Sequence, residues 1–204
     1  MILPSPPRNI HRRRMLKGNL KKSKKIPLGE KKYQKTNQKE NNIMTFGQLF
    51  GEIFNGNALA LLGAALATLL AGIGSAKGVN LVAKASAGLL SEDPSKFGKT
   101  LALQALPMTQ GIYGFVVAFL ILFRMGAIGG TPDLTVGEGA YYLMASLPIA
   151  VVGLYSGIKQ GEVAAAGVSV LAKRPNELGK SITSAALVET YAILAALISL
   201  LLVL

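Results

Sequence analysis

Four stretches of this chain are almost free of charge over lengths that match a lipid bilayer. Ile53–Ala76, Thr100–Phe123 and Gly139–Ile158 contain no Asp, Glu, Lys or Arg, and Ser181–Leu204 contains only Glu189. Each runs 20–24 residues, about 30–36 Å of helix at ~1.5 Å per residue, against a hydrocarbon core roughly 30 Å thick. Lipid offers nothing to an unpaired N–H or C=O, so helix is the default for such a span. The sequence predicts an all-α membrane protein with four transmembrane helices. A mean hydropathy of +0.42 agrees.

The turns repeat. "KFGKTLALQALPMTQ" follows "SEDPS", and "ELGKSITSAALVET" follows "KRPN". Pro94 pairs with Pro175, Gly98 with Gly179, Lys99 with Lys180 and Thr109 with Thr190, each 81 residues apart. One duplicated helical hairpin, used twice in tandem, accounts for this spacing. The first hairpin is expected over residues 44–124 and the second over 125–204. In that register Met108 stands where the second hairpin has Glu189. The first and third spans are dense in Gly and Ala, which let helices approach closely. The second and fourth carry the bulkier side chains suited to face lipid.

Charge at mid-bilayer costs roughly 2.5–3.5 kcal/mol on insertion scales, so an intramembrane acid is by default functional. Glu189 is that acid. Leu106, Thr109, Gln110 and Tyr113 follow at i, i+3, i+4 and i+7 and share a helix face. Pro107 lacks an N–H, so the carbonyl of Leu103 loses its helical donor and the backbone distorts there. Gln160 closes the third span, and Glu189 and Thr190 come from the fourth. An oxygen-only set suits a hard cation. One carboxylate among neutral oxygens suits a monovalent one, because the pair is then neutral; a proton is the alternative. There is no Cys, and the single His lies in the polar N-terminal region, which excludes disulfides and thiolate or histidine metal sites.

The segments "LPMTQGIYGF", "GIKQGEVAAAG" and "LVETYAIL" resemble, in order, the proteolipid rotor subunits of V-type ATPases, especially the bacterial sodium-translocating kind. The resemblance covers Met44–Leu204. It implies a homo-oligomeric ring turned by ATP hydrolysis on other subunits, so the chain itself is not an enzyme. It implies one Na⁺ per subunit, held by Leu106 (through its carbonyl), Thr109, Gln110, Gln160 and Glu189, with Tyr113 hydrogen-bonded to Glu189. It also implies a stator membrane subunit as partner, central-stalk subunits at the loops, surrounding lipids, and residence in the bacterial plasma membrane. The readings beside it are a ring coupling H⁺, a small secondary transporter using Glu189, and a structural four-helix protein. Oligomer mass separates the ring from the transporter.

Basic charge is concentrated in one place. Residues 1–43 hold 13 of the 22 Lys/Arg and 2 of the 10 Asp/Glu. No nucleic-acid partner is expected of the apolar body. The loops 77–99 and 159–180 carry four basic residues each, while 124–138 carries only Arg124. The positive-inside rule therefore places those two loops in the cytoplasm and both termini outside. A tail of such charge would have to cross the membrane, so residues 1–43 are expected to be disordered or untranslated, with Met44 as the start.

Overall fold

The computed structural model describes residues 45–204; the expectations for residues 1–43 and for Met44 fall outside them. A short helix, α1 (Phe46–Ile53), comes first. Four apolar membrane-spanning segments follow: Gly56–Glu92, Pro94–Arg124, Val136–Lys173 and Pro175–Val203. The first is one helix, α2 (Gly56–Glu92), and the third is another, α5 (Val136–Lys173). The second is broken into α3 (Phe97–Ala105), a 3₁₀ turn at Leu106–Met108, and α4 (Thr109–Arg124). The fourth is α6 (Leu178–Val203). Among the described residues there is no strand.

The duplication is visible in three dimensions. The 3₁₀ turns Pro94–Lys96 and Pro175–Glu177 stand 81 residues apart, and so do the starts of α3 and α6. The two turns even share backbone geometry: Asp93 sits at φ −140°, ψ 87° and Arg174 at φ −138°, ψ 81°. Proline stabilises the first turn of each new helix because its missing N–H would have had no helical partner there. The Lys99 ammonium donates to the Pro175 carbonyl at 3.1 Å and ties the two turns together at one end of the bundle.

The inner spans are longer than the charge-free runs indicate. Residues 77–92 and 159–173, expected as loop, continue α2 and α5 as helix. Their 37 and 38 residues span about 55 Å, well beyond the hydrocarbon core. Gln160, expected at the end of its span, lies well inside α5. Ends of hydrophobicity are not ends of helix, since backbone hydrogen bonding continues into water.

α2 and α5 share the most extensive interface of the fold. Backbone meets backbone there: a Cβ on Gly78 would collide with the Gly157 carbonyl, and one on Gly161 with Gly78 itself. Small residues at these positions are what the helix pair needs in lipid, where dispersion contacts replace the hydrophobic effect as the drive for packing. Each outer segment rests mainly on the long helix of its own hairpin. Phe115, Phe119 and Phe123 on α4 and Leu194, Leu197 and Leu201 on α6 face outward, as bulky lipid-facing residues should. At the opposite end, Gly126 and Gly129 adopt φ of 79° and 81° in the connecting turn, a region that costs little only for glycine. Asn57 grips that connection by donating to the Pro132 carbonyl and accepting the Leu134 N–H. A Thr135–Glu138 capping box then starts α5.

Candidate functional site

Pro107 sets the site's geometry. Without its N–H the α-helical ladder is interrupted, and the chain tightens into the Leu106–Met108 turn. The Thr109 hydroxyl donates to the Leu106 carbonyl at 3.1 Å and lies 3.5 Å from Gln110 Oε1. A residue that sequence reasoning missed braces this break from α2. Ser75 Oγ accepts the Gly111 N–H at 2.8 Å and reaches the Met108 carbonyl at 3.4 Å. Its repeat counterpart, Ser156, is buried with no hydrogen-bond partner. Position 188, opposite Pro107, is a valine, so α6 has no break to brace. The sequence marks Ser75 only as one hydroxyl in a Gly/Ala-rich helix that also carries Thr68, Ser86 and Ser91.

From the break a continuous polar chain crosses the bundle. Gln110 on α4 donates its amide to Gln160 Oε1 on α5 at 2.5 Å. Gln160 in turn donates to Glu189 Oε2 on α6 at 3.2 Å. Tyr113, one turn beyond Gln110, donates to the other Glu189 oxygen at 2.8 Å. Both glutamines are fully buried, at 0% exposure. A buried amide is costly unless its donors and acceptors are paired, and here each amide pairs with another member of the chain.

All six residues singled out from sequence therefore meet: Leu106, Thr109, Gln110, Tyr113, Gln160 and Glu189. Thr190 does not join them. Its hydroxyl turns back to the Leu187 carbonyl and is exposed. Glu189 is the one acid in the network, and among the described residues no cluster of three His, Cys, Asp or Glu exists that could hold a metal ion. The donor set is one carboxylate, two amide oxygens, a hydroxyl and a main-chain carbonyl turned toward that hydroxyl. Hard oxygen donors with a single negative charge match a monovalent cation in charge and softness.

Fold and site together define a multi-pass membrane protein of two tandem hairpins with one acidic polar centre inside its apolar bundle. The model of the ATP synthase C-subunit family matches twice, over residues 62–121 and 143–202, the same 81-residue offset that relates the hairpins. The chain is 54% identical over 149 residues to the V-type sodium ATPase subunit K of Enterococcus hirae, covering 73% of this chain and 92% of that relative. It is 42% identical over 144 residues to the A-type ATP synthase subunit K of Methanocaldococcus jannaschii, covering 71% of this chain and 61% of that one. The chain belongs to the ATP synthase C-subunit family.

Proposed function

We propose that this chain is the membrane rotor subunit of a V-type ATPase, that copies of it form a ring, and that each copy carries one Na⁺ at Glu189. The observation that carries the reading is the hydrogen-bonded chain from Leu106 through Thr109, Gln110 and Gln160 to Glu189, closed by Tyr113. The similarity to a sodium ATPase subunit supports it. ATP hydrolysis belongs to other subunits; this one moves the ion.

The chemistry follows from charge. A carboxylate with Na⁺ is neutral and passes lipid without the cost of a bare charge. Leu106, Thr109, Gln110 and Gln160 replace the ion's water with neutral oxygens. Tyr113 holds one Glu189 oxygen and so fixes the carboxylate's orientation. Releasing the ion leaves an uncompensated carboxylate, so release belongs where a stator subunit supplies water and positive charge. One carboxylate per two hairpins means one ion per four spans, because Met108 takes the equivalent position in the first hairpin. Fewer ions per revolution let each ATP drive an ion against a steeper gradient.

The setting is a bacterial plasma membrane. The Lys/Arg-rich end of the bundle, with the turns near 93–96 and 174–177, faces the cytoplasm. Central-stalk subunits meet the ring there, and both termini lie outside.

The test is carbodiimide labelling of Glu189, which requires the protonated acid, in purified protein with and without Na⁺ across pH. Protection by millimolar or lower Na⁺, with protons competing, is the expected result. Labelling that follows pH alone would overturn the sodium assignment and leave a proton-carrying ring.

A further inference from the structure

No residue of α1 is buried, yet its sequence is patterned. Phe46, Leu49, Phe50 and Ile53 fall at i, i+3, i+4 and i+7 and form one apolar face. Gln48 and Glu52 stand on the opposite side, with Gly47 and Gly51 at its flank. Leu49 is 46% exposed, Ile53 54% and the following Phe54 42%. A capping box opens the helix: Thr45 Oγ1 accepts the Gln48 N–H at 3.3 Å, and Gln48 Oε1 accepts the Thr45 N–H at 3.0 Å. Asn55 closes it. Its amide donates to the Glu52 carbonyl at 2.7 Å, while its Oδ1 accepts the Ala58 N–H at 2.8 Å and starts α2. Asn55 itself is extended, at φ −71° and ψ 166°. So α1 is a separately capped helix, not the first turns of the membrane span.

Eight residues are too few for a stable helix in water, where anything under about 12–15 residues is marginal even in good helix formers. Gly47 and Gly51 weaken this one further. The helix therefore needs an apolar surface to hold it, and chain connectivity puts one within reach. Only Phe54 and Asn55 separate α1 from α2, so Ile53 lies at most ~11 Å from Gly56, where the first membrane-spanning segment begins. Charge narrows the choice of surface. From Met44 to Ala76 there is no Lys or Arg, and Glu52 is the one acid. A partner that recognises basic charge has nothing to read there. The boundary between lipid headgroups and acyl chains, in contrast, takes an amphipathic helix on its apolar area.

We propose that α1 is an interfacial helix. It lies in the plane of the bilayer surface at the start of α2, with Leu49 and Ile53 at the acyl boundary and Gln48 and Glu52 in water. Its occupant is lipid, bound through apolar area and not through headgroup charge. In that place it fixes the depth of α2. Sinking would take the Glu52 carboxylate out of water, and withdrawal would expose the apolar face, so both displacements along the membrane normal are opposed. α2 carries Ser75, which braces the Leu106–Met108 turn, so the depth of α2 is also the depth of the polar centre. The inference rests on the membrane spans alone and is independent of the ring and of which ion is carried.

The chain has no tryptophan, so a single introduced indole reports its own surroundings. Leu49→Trp tests the apolar face and Gly51→Trp the flank, where a Cβ meets nothing within 4 Å. Both are made in the full chain and reconstituted into phosphatidylcholine vesicles. Brominated phosphatidylcholine is expected to quench Leu49→Trp strongly, and aqueous iodide to quench it about threefold less than Gly51→Trp, as an interfacial helix requires. Adding phosphatidylglycerol should leave both results unchanged. Equal iodide quenching of the two variants would overturn the proposal and place α1 in water. A Leu49→Trp indole shielded from both quenchers would also overturn it, with protein, either a second copy or residues 1–43, as the occupant. Quenching that appears only with phosphatidylglycerol would overturn the claim that charge is not used. As a second readout, Leu49→Asp with Ile53→Asp should speed amide exchange over residues 46–53 by about tenfold while the interior of α2 stays protected. Unchanged exchange would mean that lipid is not what holds the helix. Sodium protection of Glu189 is read separately, so failure of the ion site is distinguishable from failure of the anchor.

Discussion

Gly78 offers the sharpest test of how this bundle holds its site. It lies where α2 passes between α5 and the Pro107 break. A Cβ there would collide with the Gly157 carbonyl and would sit 2.7 Å from Pro107 Cβ. Ordinary contact begins at about 3.4 Å, so Gly78→Ala must move α2 at least ~0.7 Å from Pro107, and further from α5. Neither obstacle is a flexible side-chain end: one is helix backbone and the other a ring. Overpacking of this kind costs about 1–3 kcal/mol. The displacement also exceeds the ~0.5 Å tolerance within which a binding constellation keeps its geometry, and the amide of Gln160 is carried by the helix being pushed. Gly88 is the control on the same helix, since a Cβ there meets nothing within 4 Å; Gly88→Ala should gain about 0.5–1 kcal/mol from reduced backbone entropy in the unfolded chain. The assay is unfolding in mixed micelles followed by circular dichroism, with the Na⁺ concentration for half-protection of Glu189 measured on the same samples. The two alanine variants should move stability in opposite directions, and only Gly78→Ala should weaken Na⁺ protection. Equal effects, or an unperturbed Gly78→Ala, would refute the claim that backbone contact between α2 and α5 positions the site.

Three further outcomes follow. Tyr113→Phe removes one donor to Glu189 while keeping the ring packed, and should speed loss of radioactive Na⁺ from loaded protein by about tenfold, the equivalent of ~1.4 kcal/mol. Ser75→Ala leaves the Gly111 N–H without its acceptor and should lower stability by about 1–3 kcal/mol together with Na⁺ protection. Ser156→Ala, at the unpartnered counterpart, should change neither. At the basic end, Ser95 and then Lys96 hold the Asp93 carboxyl below its usual range. A depressed acid contributes stability above its unfolded value of roughly 3.9 and loses it as pH falls through the lower folded value. The 93–96 turn should therefore keep its hydrogen-exchange protection at all pH above about 4 and lose it only below; loss near neutrality would refute the assignment.

Much of this protein was legible in the sequence because lipid permits so few solutions. A charge-free run of bilayer length must be helix, so the four spans could be read directly. The 81-residue offset announced the duplication, and Pro107 announced a break that no surrounding packing could repair. Glu189 declared itself by its cost in lipid. The tertiary structure decided the rest. Helical spacing put Leu106, Thr109, Gln110 and Tyr113 on one face, but it could not say that Gln160 on another helix would bridge Gln110 to Glu189, or that Thr190 would turn away to Leu187. The relative rotation of helices is set by which small residues meet, and Gly78, Gly157 and Gly161 fix it by contact between segments about 80 residues apart. The true lengths of α2 and α5 were hidden for a different reason. Hydropathy reports where lipid ends, whereas a helix ends where its backbone finds a cap, and here those caps are Asp93 and Arg174, well beyond the charge-free runs that end at Ala76 and Ile158.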